Sequence, residues 1–454
     1  MAKVTVGPVI GKVTHSTARV LLEVDANAEV TCSFRNAHGP PVGVTRTLRK
    51  GRPGVFAVQG LRPETAYKVT VSGARGEGEG RFTTCGERPG GLTVAAVSCN
   101  FTIRRAETDL WADLRDRYVR PDNVNLLLHL GDQIHGDNAF DMALCLLNGS
   151  RRPGKAMDQR ILELYRHLYR CSWSYAPTRE VLASVPNLMI WDDHEIRDDW
   201  GSRPCDSDPR SAEHRVGRLA RRVFREYQRQ LWDDCDIDAQ PPDGFENHAH
   251  VWGEIGLLFV DQRGGRSFQR DAARPYLGTP QWEWIKAAMQ PGGQFSNIRA
   301  LLVVTSVPLV YLGSTVSQYG SHLMDDLFDH WAYGVHQREQ IEMIRLLRNW
   351  KEAGRGEREL LILGGDVHVG GHTEVRHHGQ AILNQLITSP ITNKPPSWPQ
   401  FHGLRLLLET EQRLAGSYTW EHHHFTRQRN YALVVIRVPH RGTPTMNGYL
   451  VAPP

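Results

Sequence analysis

The sequence predicts an α/β protein that is preceded by a small all-β sandwich. Residues 1–88 alternate apolar and polar side chains between Gly- and Pro-containing turns, a pattern typical of short antiparallel strands. From residue 89 onward, apolar strand-like runs alternate with helical periodicity, which predicts a central sheet flanked by helices. At 454 residues the chain exceeds the size that one hydrophobic core supports. We therefore expect two domains, 1–88 and 89–454.

The first region contains three clear strand patterns, at Val4–Val6, Ala18–Val24 and Tyr67–Val71. Leu61–Tyr67 resembles the corner of a fibronectin type III module, in which a tyrosine hydroxyl hydrogen-bonds to the backbone just upstream. Tyr67 would be that tyrosine. We interpret the region as a fibronectin III/Ig-like sandwich that packs beside an enzyme, in preference to an independent binding module.

Composition narrows the class of protein. Hydrophobic residues make up 40% and charged residues 23%, as in ordinary globular proteins, and a formal charge of +4 does not require nucleic acid but leaves anionic substrates open. No apolar run reaches the roughly 18 residues that a bilayer span requires, so we expect no membrane partner. The N-terminus lacks the pattern of a signal peptide, which indicates a cytoplasmic location, or secretion if a signal has been removed. Seven cysteines without a CxxC pair favour reduced thiols.

The second region begins after a linker-like stretch, residues 85–91, with a predicted strand at Leu92–Ser98. Further strands are predicted where apolar runs are short and bounded by turns, and helices where apolar residues recur at three- and four-residue intervals. The predicted strands are Val124–Leu130, Leu188–Ile190, Ile255–Val260, Arg299–Val304, Leu360–Leu363 and Tyr431–Val438, and the predicted helices are Glu107–Tyr118, Asp158–Tyr169, Glu213–Leu231, Pro280–Met289 and Gln337–Ala353.

Three runs that contain Asp and His follow three of these strands. They are Gly131–His135, Trp191–Glu195 and Gly364–His368. Open α/β sheets bind their ligands at the carboxyl ends of the strands. Carboxylates and imidazoles gathered at one edge are typical of a metal site.

Each run also has an alternative interpretation. Asp132 can bridge two cations, or it can cap the helix that follows. Asp193 and His194 can supply a ligand and a proton donor, or they can form a salt-bridged turn with the charged residues that follow. Asp366 and His368 lie two residues apart, so in an extended segment both side chains would share one face. We interpret the three consecutive histidines, residues 422–424, as solvated.

Taken in order, the motifs resemble those of one family. The PhoD-like (alkaline phosphatase D) family of calcineurin-type metallophosphoesterases is similar in its small N-terminal sandwich and in a series of short motifs along the chain. Those motifs are Ser98-Cys99-Asn100, Gly131-Asp132, Trp191-Asp192-Asp193-His194-Glu195, Asp261-Gln262-Arg263, Gly365-Asp366-Val367-His368 and Thr388-Ser389-Pro390-Ile391-Thr392. The resemblance implies a four-layer core, a β-sandwich flanked by helices.

The resemblance also implies roles for individual residues. The implied metal ligands are Cys99, Asp132, Asp193, Asp366 and His368, with Asp132 as the bridging group, and His194 and Arg263 are implied in catalysis beside Asp261 on the substrate side. His135 stands where the family commonly has a tyrosine ligand, and we assign it as a ligand. Arg266, close to a strand end, is a further candidate for binding phosphate.

The ligand types predict two different ions. Thiolate and imidazole at the first site, from Cys99, His135 and His368, suit iron or zinc. Only carboxylates remain for the second site, which favours calcium, magnesium or manganese. A hydroxide held between the ions would attack the phosphorus, because bound metal lowers the pKa of water.

The predicted function is therefore hydrolysis of a phosphate ester, with diesters favoured over monoesters because loops at 140–155 and 201–210 leave room for a long substrate. An aromatic loop that includes His330, Trp331 and Tyr333 could form a wall of the site, or it could simply cover the sheet. Arginines along Glu213–Leu231 leave a nuclease-like activity on a polyanion as one alternative, or they form a solvated helix face. Nucleic acid is thus an open but not a required partner. A catalytically silent binding protein is the other alternative, and oligomeric state is not predicted.

Overall fold

The computed structural model of the chain describes residues 1–76, 79–101, 109–150, 154–235, 237, 245–265, 275–313, 331, 334, 336–408, 412–414 and 417–453. Several predicted positions lie outside the described residues. They are Arg266, His330, Tyr333 and the first residues of the helix predicted from Glu107.

Two antiparallel sheets form the N-terminal region, as its alternating pattern predicts. One sheet has the strand order β1-β2-β5 and the other β4-β3-β6-β7, and apolar residues such as Val20, Phe34 and Phe56 fill the space between them. The strands are β1 Val4–Val13, β2 Ala18–Val24, β3 Ala28–Arg35, β4 Val42–Leu48, β5 Gly54–Val58, β6 Ala66–Ser72 and β7 Glu79–Thr83.

The corner predicted at Tyr67 has the expected contact. The Tyr67 hydroxyl accepts a hydrogen bond of 2.9 Å from the backbone N–H of Arg62, five residues upstream. The ring of Tyr67 stacks on Phe82 at 5.5 Å, which holds the hydroxyl in place.

A five-stranded sheet carries the first two Asp/His runs. Its order is β10-β9-β8-β19-β20, in which β8, β9 and β10 are parallel and β19 and β20 are antiparallel additions. The strands are β8 Gly91–Val97, β9 Leu126–Leu130, β10 Asn187–Ile190, β19 Tyr431–Arg437 and β20 Thr445–Val451.

An eight-stranded sheet carries the third run. Its order is β11-β12-β13-β14-β16-β15-β18-β17, with β12, β13, β14 and β16 parallel to one another. The strands are β11 His248–Trp252, β12 Ile255–Val260, β13 Ala300–Thr305, β14 Glu359–Gly364, β15 Gly370–His377, β16 Gln380–Ile387, β17 Gln412–Leu414 and β18 Tyr418–Thr426.

Alternate residues of the central strands belong to different cores. Leu128 of β9 and Leu302 of β13 share one apolar cluster, so one face of each sheet contributes to a common core. Leu127 clusters instead with α1, and Val303 clusters with α7 and α8. Both sheets are therefore buried on two faces, which explains why these strands are continuously apolar.

The helices follow the predicted periodicity closely. The predicted helices Asp158–Tyr169, Glu213–Leu231, Pro280–Met289 and Gln337–Ala353 are confirmed as α3, α6, α7 and α8, with small differences at their ends. The helices are α1 Leu110–Leu114, which continues as a π-helical turn Arg115–Val119, α2 Asp137–Asn148, α3 Lys155–Trp173, α4 Ala176–Leu182, α5 Pro204–Ser207, α6 Ala212–Tyr227, α7 Thr279–Met289, α8 Gln337–Ala353 and α9 Trp398–Leu408.

Two predicted loops are partly helical. Residues 140–148 belong to α2, and residues 204–207 form α5. Helices therefore fill part of the space that the sequence suggested for a long substrate. Phe140 and Ala143 of α2, for example, are buried in the main core.

The N-terminal region packs against the second region through both apolar and polar groups. Val9 and Leu21 share a core cluster with Leu231, and a Cβ on Gly11 would lie only 2.3 Å from the Leu231 carbonyl oxygen. Glu23 is fully buried and accepts hydrogen bonds from Arg170 of α3 and Tyr227 of α6. The domain division at residues 88 and 89 stays a prediction. No helix among the described residues combines the length and the apolarity needed to cross a membrane.

Candidate metal centre

The three Asp/His runs meet because the ends of their strands approach closely. A Cβ on Gly131, which follows β9, would lie 2.5 Å from the Cβ of Asp192, which follows β10 by two residues. A Cβ on Gly365 would lie 2.8 Å from Ser98 Cβ. Only glycine fits at these two positions, and Gly131 in addition has a φ of +104°. The two glycines therefore let three loops share one small volume.

Four of the predicted ligands have positive φ angles. The values are 52° for Cys99, 58° for Asp132, 65° for Asp366 and 54° for His368. Residues other than glycine seldom adopt this conformation, which costs of order 1–3 kcal/mol and clusters at functional sites. The extended segment that we predicted for Asp366–His368 is wrong, because both residues are left-handed and lie between β14 and β15. Their side chains nevertheless reach the same region.

A cluster of four carboxylates occupies the centre of this region. One oxygen from each of Asp132, Asp192, Asp193 and Asp366 lies within 4.8 Å of the others. Asp132 Oδ1, Asp192 Oδ2 and Asp193 Oδ1 are buried and accept no hydrogen bond from the described residues. We call these four residues the carboxylate cluster.

Burial and mutual repulsion disfavour the charged forms of this cluster. Burial, together with the neighbouring carboxylates, raises the pKa of Asp132 and of Asp366 well above the ordinary value. Burial raises the pKa of Asp192 to about 6, although the Arg263 guanidinium lowers it. Buried oxygens without donors, held close to like charges, are stabilised when a cation binds between them. The carboxylate cluster thus fits a hard metal ion.

The softer side chains that the sequence predicts as ligands lie near the carboxylate cluster. Cys99 Sγ lies 3.4 Å from Asp132 Oδ2, and the His135 ring stacks on His194 at 4.2 Å. Asn393 Nδ2 lies 2.8 Å from His135 Nε2 and 3.3 Å from His368 Nε2, so both imidazoles face one point. His135 Nδ1 is buried and has no hydrogen-bond partner among the described residues.

The protonation states of these groups suit metal binding. Burial lowers the pKa of His135, and it lowers the pKa of His368 to about 4, which leaves both imidazoles neutral near pH 7. Burial and the Asp132 carboxylate raise the pKa of the Cys99 thiol. Neutral imidazole is the form that binds metals, whereas a thiolate at position 99 would need a cation beside it.

His194 has a different environment from His135 and His368. Burial alone would lower the pKa of His194, but the charges of Asp193 and Asp132 raise it well above the ordinary value. Its Nδ1 lies 3.0 Å from Asp137 Oδ2, at the start of α2, and its Nε2 lies 3.6 Å from Asp198 Oδ1. Carboxylates therefore surround a proton-carrying imidazole beside the carboxylate cluster.

The predicted substrate-side residues are buried and already have partners. Asp261 is fully buried and accepts hydrogen bonds from Trp191 Nε1 and from the backbone N–H groups of Glu246, Arg263 and Gly264. Arg263 Nε donates to Asp192 Oδ1 at 2.5 Å, and its side chain is 1% exposed. A direct contact of either residue with substrate stays a prediction, and these bonds point to roles inside the protein. Arg266 lies outside the described residues.

Sequence reasoning missed three residues at this site. Asp192 belongs to the carboxylate cluster, Asn393 faces two imidazoles, and Glu195 joins two of the loops. For Glu195 a sequence signal existed, because Asp-x-x-Glu at residues 192–195 is the pattern of a capping box. No comparable local signal marks Asn393.

Two other predictions about charged residues are wrong. The arginines of the predicted helix Glu213–Leu231 form neither a free basic surface nor a solvated face. Arg221 and Arg225 of α6, and Arg229 in the turn after it, pair with buried Glu246, and Arg222 lies 3.6 Å from Glu226. His422 is also not solvated. It is 3% exposed and contacts the Tyr311 carbonyl oxygen and the Thr373 hydroxyl through its two ring nitrogens.

Comparisons with known proteins agree with the geometry. A solved structure described as PhoD aligns with a TM-score of 0.69 and 14% identity, and the alignment covers 99% of this chain and 90% of that chain, which shows a shared fold. The sensor domain of the anti-sigma factor RsgI4 from Pseudobacteroides cellulosolvens matches with a TM-score of 0.17 and 17% identity over 19% of this chain and 76% of its own. The FN3 domain of human collagen XX matches with a TM-score of 0.16 and 21% identity over 18% of this chain and 92% of its own.

No curated protein matches the sequence. The model of one family, described as PhoD-like phosphatase, matches residues 94–438, which is most of the chain and includes every described residue of the candidate centre. The chain belongs to the PhoD-like phosphatase family.

Proposed function

We propose that this protein hydrolyses phosphate esters at a centre that holds two metal ions. The observation that supports the proposal most directly is the carboxylate cluster, with three buried oxygens that accept no hydrogen bond from the described residues. Four carboxylates face one guanidinium, that of Arg263, and one imidazole, that of His194. Bound cations would supply the missing positive charge.

The chain offers ligands for two unlike ions. Cys99, His135, His368 and one oxygen of Asp132 would hold the first, for which we propose iron or zinc. The other Asp132 oxygen, Asp193 and Asp366, with Asp192 added to the predicted set, would hold calcium, magnesium or manganese. When bound, such ions polarise a phosphoryl group and lower the pKa of water.

The residues of the chain divide the remaining work. His194 lies beside the carboxylate cluster with a raised pKa, so it holds a proton that it can donate to the departing alkoxide oxygen of the ester. Asp137 accepts from His194 Nδ1 and also from the backbone N–H of Asp198, which fixes the orientation of the imidazole. Arg263 donates a hydrogen bond to Asp192 and lies 3.5 Å from Asp193, so its positive charge partly balances both carboxylates.

The alternatives are less well supported by the contacts. The nuclease-like alternative depended on free arginines along α6, and the arginines that pair with Glu246 are not free. A silent binding protein would have no use for strained, buried and unsatisfied carboxylates. The diester preference stays part of the proposal, although the loops that motivated it are partly helical.

The four-layer core and the two-domain division also belong to the proposal. Shared clusters between the two sheets, and separate clusters between each sheet and its helices, support the layering. The contacts of Glu23 with α3 and α6 support a sandwich that is packed firmly against the catalytic region.

Release of 4-nitrophenol from 4-nitrophenyl phosphate and bis(4-nitrophenyl) phosphate tests the function. We expect turnover that is lost after chelation and restored by added metal, and faster turnover of the diester. Elemental analysis of the purified protein identifies the two ions. A protein with both metals present and no turnover of either ester would overturn the proposal, and faster turnover of the monoester would overturn the diester preference alone.

A further inference from the structure

Glu195 connects the two loops that carry most of the carboxylate cluster. It is 1% exposed and lies in the short 3-10 turn Asp193–Glu195. Its Oε2 accepts the backbone N–H of Asp132 at 3.0 Å and that of Asp192 at 2.7 Å. Its Oε1 accepts the backbone N–H of Gln133 at 2.7 Å and the Gln228 side-chain amide at 2.9 Å.

These four hydrogen bonds use both oxygens of the carboxylate. Two come from the loop after β9 and one from the loop after β10, so a single side chain sets the distance between Asp132 and Asp192. The charged form of the side chain can accept all four bonds because it has no proton and about four lone-pair positions. Bonds from N–H groups to a buried charged acceptor are about twice as strong as neutral ones.

We infer that Glu195 is a positioning residue that holds the two ligand loops at the separation that metal binding requires. The inference rests on the proposed function only in treating Asp132 and its neighbours as metal ligands. Glu195 itself donates no ligand atom, because each of its oxygens is already occupied by hydrogen bonds.

A helix-capping role alone does not account for these contacts. Capping explains the bond from Asp192, which lies three residues before Glu195 in the same turn. It does not explain the bonds from Asp132 and Gln133, which are more than sixty residues away in sequence. The bond from Gln228, just after α6, fixes Glu195 from a third direction, and the same amide group also donates to Tyr169 of α3.

The test uses the full-length chain after chelation, titrated with Mn²⁺ and separately with Zn²⁺ in a calorimeter. Glu195→Gln keeps the size of the side chain but turns an N–H₂ group toward backbone donors. We expect roughly 10–100-fold weaker metal binding, the usual effect of losing a group that orients ligands. Glu195→Asp keeps the charge but shortens the reach, and we expect it to weaken binding as well.

Glu246→Gln is the matched control. Glu246 is also fully buried and highly hydrogen-bonded, but its partners are Arg221, Arg225 and Arg229 and none of the ligand loops. We expect this variant to unfold at lower urea concentration while the folded protein binds metal as the unmodified protein does. A purely structural role of Glu195 would give the same result as this control.

A variant at position 228 covers the case in which Glu195→Gln does not fold. Gln228→Met removes one of the four bonds to Glu195 and leaves the backbone bonds, so we expect a smaller but measurable loss of metal affinity. Unchanged metal binding in Glu195→Gln, or in Gln228→Met if the first variant does not fold, overturns the inference. Metal affinity equal to that of the wild type in Glu195→Asp would show that the negative charge suffices and that the length of the side chain does not set the separation of the loops. That result would also overturn the inference.

The titration does not depend on catalysis. Weaker metal binding in the Glu195 variants of a protein that hydrolyses no phosphate ester would leave the inference standing and remove the proposed function. If the protein is an active phosphatase and the Glu195 variants bind metal as tightly as the wild type, the proposed function stands and the inference about Glu195 is overturned.

Discussion

Two groups of buried carboxylates in this molecule have opposite properties. The Glu246 side chain is fully buried, yet three guanidinium groups contact its carboxylate oxygens. The nitrogen–oxygen distances are 2.9 Å from Arg221, 2.7 Å from Arg225 and 2.6 Å from Arg229. Burial raises the pKa of Glu246, but the three arginines together lower it below the ordinary value. In the carboxylate cluster, burial and neighbouring carboxylates raise the pKa of Asp132 and Asp366, and the opposing charges of His194 on Asp132 and of Arg263 on Asp366 do not offset that rise.

The charges of the neighbouring side chains, and not burial alone, therefore decide whether the pKa of a buried carboxylate is lowered or raised. Glu246 has its counter-ions built into the same chain, so its charge contributes to folding. The carboxylate cluster has too few counter-ions among the described residues to offset its charge, which is why we propose that metal ions bind there.

Removing a charge from the carboxylate cluster should abolish activity without harming the metal-free fold. Asp132→Asn is expected to lose metal and to lower turnover by about 10³-fold or more, since bound metal supplies several kcal/mol of stabilisation. The metal-free variant should be at least as stable as the metal-free wild type, because one repulsive charge is gone. Elemental analysis, turnover of the nitrophenyl esters and urea unfolding measure the three effects. A less stable metal-free variant would contradict the comparison.

His194 should separate chemistry from metal binding. His194→Ala removes the proton donor while leaving the carboxylate cluster intact, so turnover should fall by roughly 10²–10⁴-fold with metal content unchanged. Turnover and elemental analysis are measured on the same sample. If metal is lost together with activity, His194 is a ligand, as its position near Asp132 and His135 also permits.

Replacing Glu246, whose charge is paired with arginines, should lower stability and leave turnover unchanged, the opposite of the result expected for Asp132. Glu246→Gln leaves the buried guanidinium group of Arg225 and the partly buried ones of Arg221 and Arg229 without their shared carboxylate, which is expected to cost about 3–5 kcal/mol of unfolding free energy. Urea unfolding monitored by circular dichroism gives this value. Turnover per folded molecule should stay unchanged, and a large loss of turnover at full folding would place Glu246 in the functional site.

The metal-free protein should lose stability as the pH rises from about 7.5 to about 8.5. Burial and the neighbouring carboxylates raise the pKa of Asp132 and of Asp366 well above the ordinary value, so the native state holds these protons more tightly than the unfolded state. His194, with its raised pKa, acts in the same direction. The unfolding free energy should therefore fall by on the order of 1 kcal/mol across this range.

Other buried imidazoles contribute little in that window. His135 and His368, and likewise His129, His248, His250 and His422, have lowered pKa values and act in the opposite sense, but their effect is nearly complete about one pH unit above their unfolded value of about 6.5. Urea unfolding at several pH values measures the trend, with a matched series in Mn²⁺. Bound metal needs deprotonated carboxylates, so the fall should shrink or reverse in that series. An equal fall with and without metal would show that the cluster is not where metal binds.

The sequence alone determined the elements and the order of the functional loops. Strand β12 at Ile255–Val260 and helix α8 at Gln337–Ala353 lie where the periodicity predicts them, because burial of one face or of both faces leaves a local pattern in the chain. The loops after β9, β10 and β14 were identified in the same way, from polar residues that follow apolar runs.

The tertiary structure decided which residues meet. Asp192 faces the carboxylate cluster, Asn393 faces His135 and His368, and Glu195 receives hydrogen bonds from Asp132 and Gln133. Arg221 and Arg225 of α6, with Arg229 just after it, pair with Glu246 and so do not form the charged face that their spacing suggested. Spacing along the chain records whether a side chain is buried. Which partner it finds there depends on where distant strand ends converge, and on positive φ angles at Asp366 and His368 that no local pattern announces.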